Sequence, residues 1–331
     1  MEKREIIIAL ALLAALPLSA QKEERESLKL SLPKVSGFVN ARYQYDSSDD
    51  SNGFDVRRAR LDFKGDVGAN VDYRLQVEFS NDPKILDAYV RWKPAKELSF
   101  QVGQFKIPFS LENIYGPTSL ETVENSIAIS RLVGYNDVSG LKDNGRDVGV
   151  GLYGGFARQS DGRNLIDYSL GVFNGQGINL KKDANTHKDF SGRIIINPVS
   201  HLNVSGSYYN GSYQSSPAGR IKRERAGGGL KWDDKRLLLR SEYIYGKTGG
   251  VESEGVYAIA AYKFVPKVQA LLKWDYFQED KQDGDSRERY YTTGINYFAN
   301  KHLRLQLNYT YKSFQAKKNS SYVVAQVFAQ F

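Results

Sequence analysis

From Leu303 to Tyr311 the chain alternates without a break: Leu303, Leu305, Leu307, Tyr309 and Tyr311 are separated by Arg304, Gln306, Asn308 and Thr310. Side chains on an extended strand point to opposite faces with period two, so this stretch has one apolar and one polar face. A helix would scatter the same leucines around its whole circumference. Val71–Phe79 repeats the pattern, with Val71, Tyr73, Leu75, Val77 and Phe79 against Asp72, Arg74, Gln76 and Glu78. Ala59, Leu61 and Phe63 likewise oppose Arg58, Arg60, Asp62 and Lys64, and Ala270, Leu272, Trp274 and Tyr276 oppose Gln269, Lys273 and Asp275.

Sixteen such segments are expected: 37–45, 55–64, 71–80, 85–92, 98–106, 146–154, 165–174, 189–197, 202–210, 223–232, 237–246, 254–264, 267–277, 289–298, 302–311 and 321–331. Most have about the 9–11 residues with which a tilted strand crosses a bilayer. Segments 98–106 and 223–232 alternate poorly. No helix-period segment intervenes, which predicts an antiparallel meander. Tight turns (93–97, 198–201, 233–236, 265–266, 299–301) alternate with longer polar connections such as 175–188, 211–222, 278–288 and 312–320, the ten-residue link 155–164 excepted. That asymmetry marks outer-membrane barrels, whose periplasmic turns are short and extracellular loops longer. The apolar face ends in rings (Tyr43, Tyr45, Trp92, Tyr243, Tyr245, Trp274, Tyr276), which suit the membrane interfaces. The fold class is thus all-β, a 16-stranded antiparallel transmembrane β-barrel. A soluble sandwich would instead bury its bulky residues against one another.

Composition agrees. The 331 residues include 22 Tyr, 16 Phe, 30 Gly and no Cys. Mean hydropathy is −0.50, as expected when every other strand residue meets water. Residues 1–20, with Lys3 and Arg4 before the apolar Ile6–Leu16 and Ala20 at the expected cut, read as an export signal. Residues 21–35 form a charged N-terminal segment expected in the periplasm, and 36–331 the barrel. The formal charge of +8 usually suggests nucleic acid, but export removes that partner.

If the apolar face meets lipid, the polar face lines the lumen, and sixteen strands leave an aqueous channel. The inward residues expected to attract anions are Arg42, Arg58, Arg60, Lys64, Arg74, Arg91, Arg193, Lys273 and Arg304. Arg57 falls on the wrong parity and is placed at the loop-proximal end of its strand. The longest connection, 107–145, is expected to fold inward as a constriction loop. Glu112, Glu121, Glu124 and Arg131 lie in it and Arg146 follows it. Its five acids against Arg131 and Lys142 leave a net charge of −3, which works against strong anion selectivity.

Enzyme and metal readings find no support. Gly149–Gly154 spells GxGxxG but no helix follows it. His187, His201 and His302 are scattered, and Asp283-Gly284-Asp285 reads as a turn. No catalytic set, metal site or cofactor is expected.

Several stretches together resemble the phosphate-selective porins O and P. They are Val102-Gly103-Gln104-Phe105-Lys106-Ile107-Pro108-Phe109-Ser110-Leu111-Glu112, Arg57-Arg58-Ala59-Arg60-Leu61, Gly145-Arg146-Asp147-Val148-Gly149-Val150 and Phe173-Asn174-Gly175. Asp183, Asn185, Lys188-Asp189, Gly192-Arg193, Asn197-Pro198 and the terminal Phe331 extend the likeness over about residues 36–331. The resemblance implies a bacterial outer-membrane porin, usually a homotrimer, with an inward third loop. It also implies an arginine ladder, for which Arg42, Arg58, Arg60 and Arg74 are the candidates. The third loop lacks the lysine cluster of a phosphate filter. The expectation is therefore passive diffusion of small hydrophilic solutes with mild anion preference, phosphate among the candidates. The alternative is a binding or adhesion barrel acting through its extracellular loops. Outer-membrane lipid and lipopolysaccharide are the expected surroundings.

Overall fold

The structure, a computed structural model, describes residues 32–180, 186–215 and 219–331. The expected export signal 1–20, most of the 21–35 segment, Asp183 and Asn185 lie outside the described residues. Sixteen strands follow one another. The first four are β1 (Lys34–Asp46), β2 (Ser51–Asp66), β3 (Val71–Glu78) and β4 (Lys84–Ala95). Next come β5 (Leu98–Lys106), β6 (Arg146–Arg158), β7 (Asn164–Phe173) and β8 (Asp189–Val199). Then follow β9 (Leu202–Ser215), β10 (Gly219–Asp233), β11 (Leu237–Thr248) and β12 (Val251–Val265). The last are β13 (Val268–Gln278), β14 (Arg287–Phe298), β15 (Leu303–Phe314) and β16 (Ser320–Gln330).

Each strand pairs antiparallel with its neighbours in sequence, and β1 pairs with β16. The sheet is closed, so no edge presents unpaired amides to hydrocarbon. At the seam Gly37 and Phe331 exchange backbone hydrogen bonds of 3.1 and 3.0 Å.

Burial is inverted relative to a water-soluble protein. Leu272 is 67% and Val102 59% exposed, whereas Asn40 and Asn296 are fully buried. On β15 the parity read from sequence holds residue by residue: Leu305, Leu307, Tyr309 and Tyr311 face out, while Arg304, Gln306 and Asn308 are buried inside. The exterior is hydrocarbon-compatible with rings toward its margins, and the polar side chains line the interior. The alternation thus positions the functional surface.

Three expectations are corrected. The connection 211–222 is mostly strand, since β9 reaches Ser215 and β10 begins at Gly219. The 155–164 link shrinks to residues 159–163, and the break between β11 and β12 to a turn at Gly249 and Gly250, both at positive φ. β9, β10, β11 and β12 therefore run further toward the loop rim than expected, while the 155–164 link on the other rim becomes a short turn like its neighbours. Arg57 is the third correction. The β1–β2 register passes from Asn40↔Arg58 to Ala41↔Val56, leaving Arg57 as the extra residue of a β-bulge. The bulge turns the consecutive Arg57 and Arg58 both toward the lumen.

Segments 98–106 and 223–232 are strands despite weak alternation, and in the first of them Gly103 is fixed by close packing. Its φ is +135°, and an added Cβ would lie 2.7 Å from the Tyr89 Cα and closer still to the Ala88 carbonyl. Only glycine lets β4 and β5 approach there.

Candidate functional site

The site is the lumen, divided by the 107–145 loop. This loop holds 3₁₀ turns at Glu112–Ile114 and Pro117–Ser119 and a short helix, α1 (Ile127–Leu132). Its apolar side (Ile107, Phe109, Ile127, Ile129, Leu132) packs on Phe105, Phe173, Tyr209, Ile244, Tyr257 and Phe277 of the inner wall. Ile244, Tyr257, Ile259, Leu271 and Phe277 sit at inward parity, where polar residues are otherwise the rule. That local break in alternation is the docking surface.

Polar pins complete the docking. Glu242 accepts from the backbone amides of Leu111 (2.7 Å) and Glu112 (3.3 Å) and from the Ser110 hydroxyl (3.0 Å). Asp275 accepts from the Ile127 amide at 3.1 Å, and Asn308 from Val123 at 2.8 Å. Arg240 lies 2.8 Å from Glu121 and 3.7 Å from Glu112. Arg225 reaches Asp137 at 3.4 Å. Glu112, Glu121 and Asp137 are thus neutralised by wall arginines, while Glu124 faces the loop-side chamber. Arg193 and Arg304, expected along the path, instead donate to loop carbonyls: Arg193 to Ser110 (3.0 Å), and Arg304 to Leu120 (3.1 Å) and Pro117 (3.3 Å). Asp143, in the loop, is pushed well above the usual carboxylate range by burial, with Asp147 and Asp137 adding to the rise and Arg223 opposing it.

Against the β1–β4 wall the loop leaves two chambers. The turn-side chamber, about 660 Å³, is lined by Arg58, Arg60, Lys64, Arg74, Lys106, Arg146 and Lys301, with Asp62 the one acidic side chain among its lining residues. The loop-side chamber, about 340 Å³, is lined by Arg57, Arg58, Arg131, Lys273 and Lys312 with Glu124 and Asp275. Arg58, Asn125 and Tyr135 line both, which makes them the neck.

Most of these cations are paired from behind. Arg42 binds Asp55 through two bonds of 2.8 and 2.9 Å and also reaches Glu124 at 2.9 Å. Arg60 pairs with Glu78 at 2.6 Å, Arg74 with Asp62 (2.8 Å) and Asp87 (3.0 Å), and Arg146 with Asp87 (2.7 Å). Lys64 lies 3.2 Å from Asp62, Arg91 3.1 Å from Asp72, Lys273 3.2 Å from Asp275, and Arg131 3.6 Å from Glu288. Arg57 holds Glu124 and the Val123 carbonyl (2.8 Å). Burial alone would raise the Glu124 pKa, but the charges of Arg57, Arg42 and Arg58 hold it below the ordinary value, so it is ionised. Arg58, Lys106 and Lys301 are the exceptions among the lining cations, and Arg58 is the one at the neck. Among the described residues no carboxylate lies within ion-pair distance of it. Tyr135, beside it in the lining of the neck, is fixed by a 3.0 Å hydrogen bond to Asn113.

Of the expected cations, Arg42, Arg58, Arg60, Lys64 and Arg74 gather on the β1–β3 wall, with Lys273 across the loop-side chamber. Arg42, held by Asp55 and Glu124, and Arg91 line neither chamber, and Arg193 and Arg304 serve the loop. Sequence reasoning missed Lys106, which donates to the Asn113 (2.6 Å) and Tyr115 (2.7 Å) carbonyls beneath the neck. Its place in the 102–112 stretch was the available signal.

The family profile described as "Phosphate-selective porin O and P" matches residues 34–329. Among solved structures, an anion-selective porin from Comamonas acidovorans superposes with a TM-score of 0.72 at 14% identity, covering 92% of this chain and 100% of its own. OmpF of Salmonella typhi, in complex with daunomycin, superposes at 0.70 with 11% identity, covering 90% and 97%. The trimer form of OmpT from Vibrio cholerae gives 0.68 at 11% identity, covering 90% and 99%. At these identities the likeness is one of fold. No curated relative matches the chain in sequence.

Proposed function

The chain belongs to the phosphate-selective porin O and P family, and we propose on that premise that it is an anion-preferring diffusion channel whose neck is governed by Arg58. As an outer-membrane porin it conducts by passive diffusion through a wet, closed sheet and is a channel, not an enzyme. What supports the preference is the arrangement of charge around the neck. Arginine and lysine side chains line the water while Glu78 and Asp87 lie outside the chamber linings, and Arg58 has no counter-charge of its own. In a narrow lumen with low-dielectric walls such an excess concentrates anions.

The other expected cations act in two ways. Arg42, Arg60, Lys64 and Arg74 form a neutralised rail that guides anions without holding them, and Lys273 continues it on the loop side. Glu112 and Glu121 fasten the loop, while Glu124 bridges it to Arg42 and Arg57. A compact multivalent anion such as phosphate meets one free guanidinium at the neck, too few donors for tight capture, so small anions pass with little discrimination. Homotrimeric assembly fits the same reading: the Vibrio cholerae OmpT of similar fold has a trimer form.

The test is a planar bilayer separating unequal concentrations of potassium chloride. Stepwise currents are expected, with a reversal potential of the sign set by chloride. Added phosphate should leave the chloride current nearly unchanged. A cation-signed potential would overturn the preference, and phosphate block would restore a filter at the neck.

A further inference from the structure

Glu124 differs from the carboxylates that balance the wall arginines. Glu78 and Asp87 pair with Arg60 and Arg146 from within the wall, their side chains 5% and 2% exposed. Glu124 comes instead from the 107–145 loop, lines the loop-side chamber and keeps 45% of its side chain open to water. It stands one residue before Asn125, which lines the neck.

Two wall arginines hold its carboxylate, one at each oxygen. Arg42 Nη1 donates to Oε1 at 2.9 Å, with the Tyr322 hydroxyl 3.4 Å from the same nitrogen, and Arg57 Nη2 donates to Oε2. Other partners fix both guanidinium groups. Arg42 donates from Nε and Nη2 to Asp55 at 2.8 and 2.9 Å, and Arg57 from Nη1 to the Val123 carbonyl at 2.8 Å. The β-bulge makes this pair possible. Arg57 is the residue left over where pairing passes from Asn40↔Arg58 to Ala41↔Val56, and regular alternation would turn it away from the lumen. Arg42, Arg57 and Arg58 stand against Asp55 and Glu124, three cations to two acids. Without the Glu124 charge the local balance rises from +1 to +2.

Charged N–H donors set one to each oxygen of a carboxylate form a strong oxyanion site, and here the occupant belongs to the chain itself. We infer that Arg42 and Arg57 form a carboxylate-binding clasp in the lumen, and that Glu124 is its built-in ligand, excluding the carboxylates of passing solutes. A tethered ligand competes at an effective concentration on the order of millimolar or above, so a dilute free anion does not displace it. The ligand class is a small monocarboxylate: one oxygen goes to each arginine, and Asp55 behind Arg42 disfavours further negative charge. The clasp therefore keeps the path clear, since a solute held there would stand beside the neck. The inference rests on the porin reading, which makes that neck the conducting path.

The test removes the resident carboxylate and supplies it from solution, with reversal potentials read in a potassium chloride gradient. Glu124→Ala deletes the atoms of an acetate and should raise the anion-over-cation permeability ratio at least about twofold. Potassium acetate at about 10 mM on both sides should return the ratio to that of the unaltered channel, whose own ratio acetate leaves unchanged. Acetamide, of the same shape without the charge, should return nothing. Glu124→Gln should raise the ratio alike but offer acetate no vacancy, and adding Arg57→Gln to Glu124→Ala should abolish the return. No rise in Glu124→Ala, no return with acetate, return with acetamide or an equal return in either control variant would each overturn the clasp. So would acetate acting equally on the unaltered channel. Failure of the porin reading would show differently, as bilayers without current steps for every one of these proteins.

Discussion

Replacing Arg58 with glutamine lowers the anion-over-cation permeability ratio by at least about fourfold. A unit charge about 5 Å from a permeant ion in water is worth about 0.8 kcal/mol, a factor of about four, and a neck walled by protein screens less well than bulk water. Arg58 lines both chambers, so every ion passes it. The same change at Arg60 or Arg74 is a different experiment. It uncovers Glu78, or Asp62 and Asp87, and strands a buried carboxylate, so stability and selectivity fall together. Arg58→Gln changes selectivity with folding intact, and Arg58→Glu should bring the reversal potential to or past zero. An unchanged potential in both variants, measured in the same salt gradient, would place the neck elsewhere.

The second large effect is expected at Arg240. This guanidinium is buried against the loop, 2.8 Å from Glu121 and 3.7 Å from Glu112, with the Tyr115 ring centre 5.2 Å from its carbon. Arg240→Met leaves two loop carboxylates buried without their cation, and breaking a buried pair in this way costs about 3–5 kcal/mol. The loop escapes that cost by leaving the wall near Glu121, since there the remaining pins (Glu242, Asp275, Asn308, Arg193 and Arg304) hold mainly backbone groups, while Asp137 stays with Arg225. Single-channel recordings should then show larger steps and more open-channel noise, with the barrel still folded by gel mobility. Steps of unaltered size would mean that the apolar docking of Ile127, Ile129 and Leu132 suffices.

The two predictions mark what was legible in the sequence. Strict alternation on β15, β3 and β13 carries the fold, because a sheet between lipid and water must repeat every second residue. It also places Arg42, Arg58, Arg60 and Arg74 on one wet wall. Period two cannot see a bulge, so Arg57 was sent to the rim when it stands beside Arg58 in the lumen. Charge counting in the 107–145 loop found the acids but not their partners, since Arg225 and Arg240 lie about a hundred residues further along the chain. For the same reason Arg193 and Arg304 read as pore cations when their donors serve the loop. One signal for the docking was present and went unused: Ile244, Tyr257, Ile259, Leu271 and Phe277 occupy positions that the alternation reserves for polar side chains.

A chain without cysteine allows the account to be probed at single positions. In Asn125→Cys, at the neck, a small charged methanethiosulfonate added to the water should react within the open channel and cut each current step sharply. In Leu272→Cys, on the lipid side, the same reagent should leave the current untouched. Reaction and block at Leu272→Cys, with Asn125→Cys inert, would mean that the sheet faces the other way and that the path described here carries no ions.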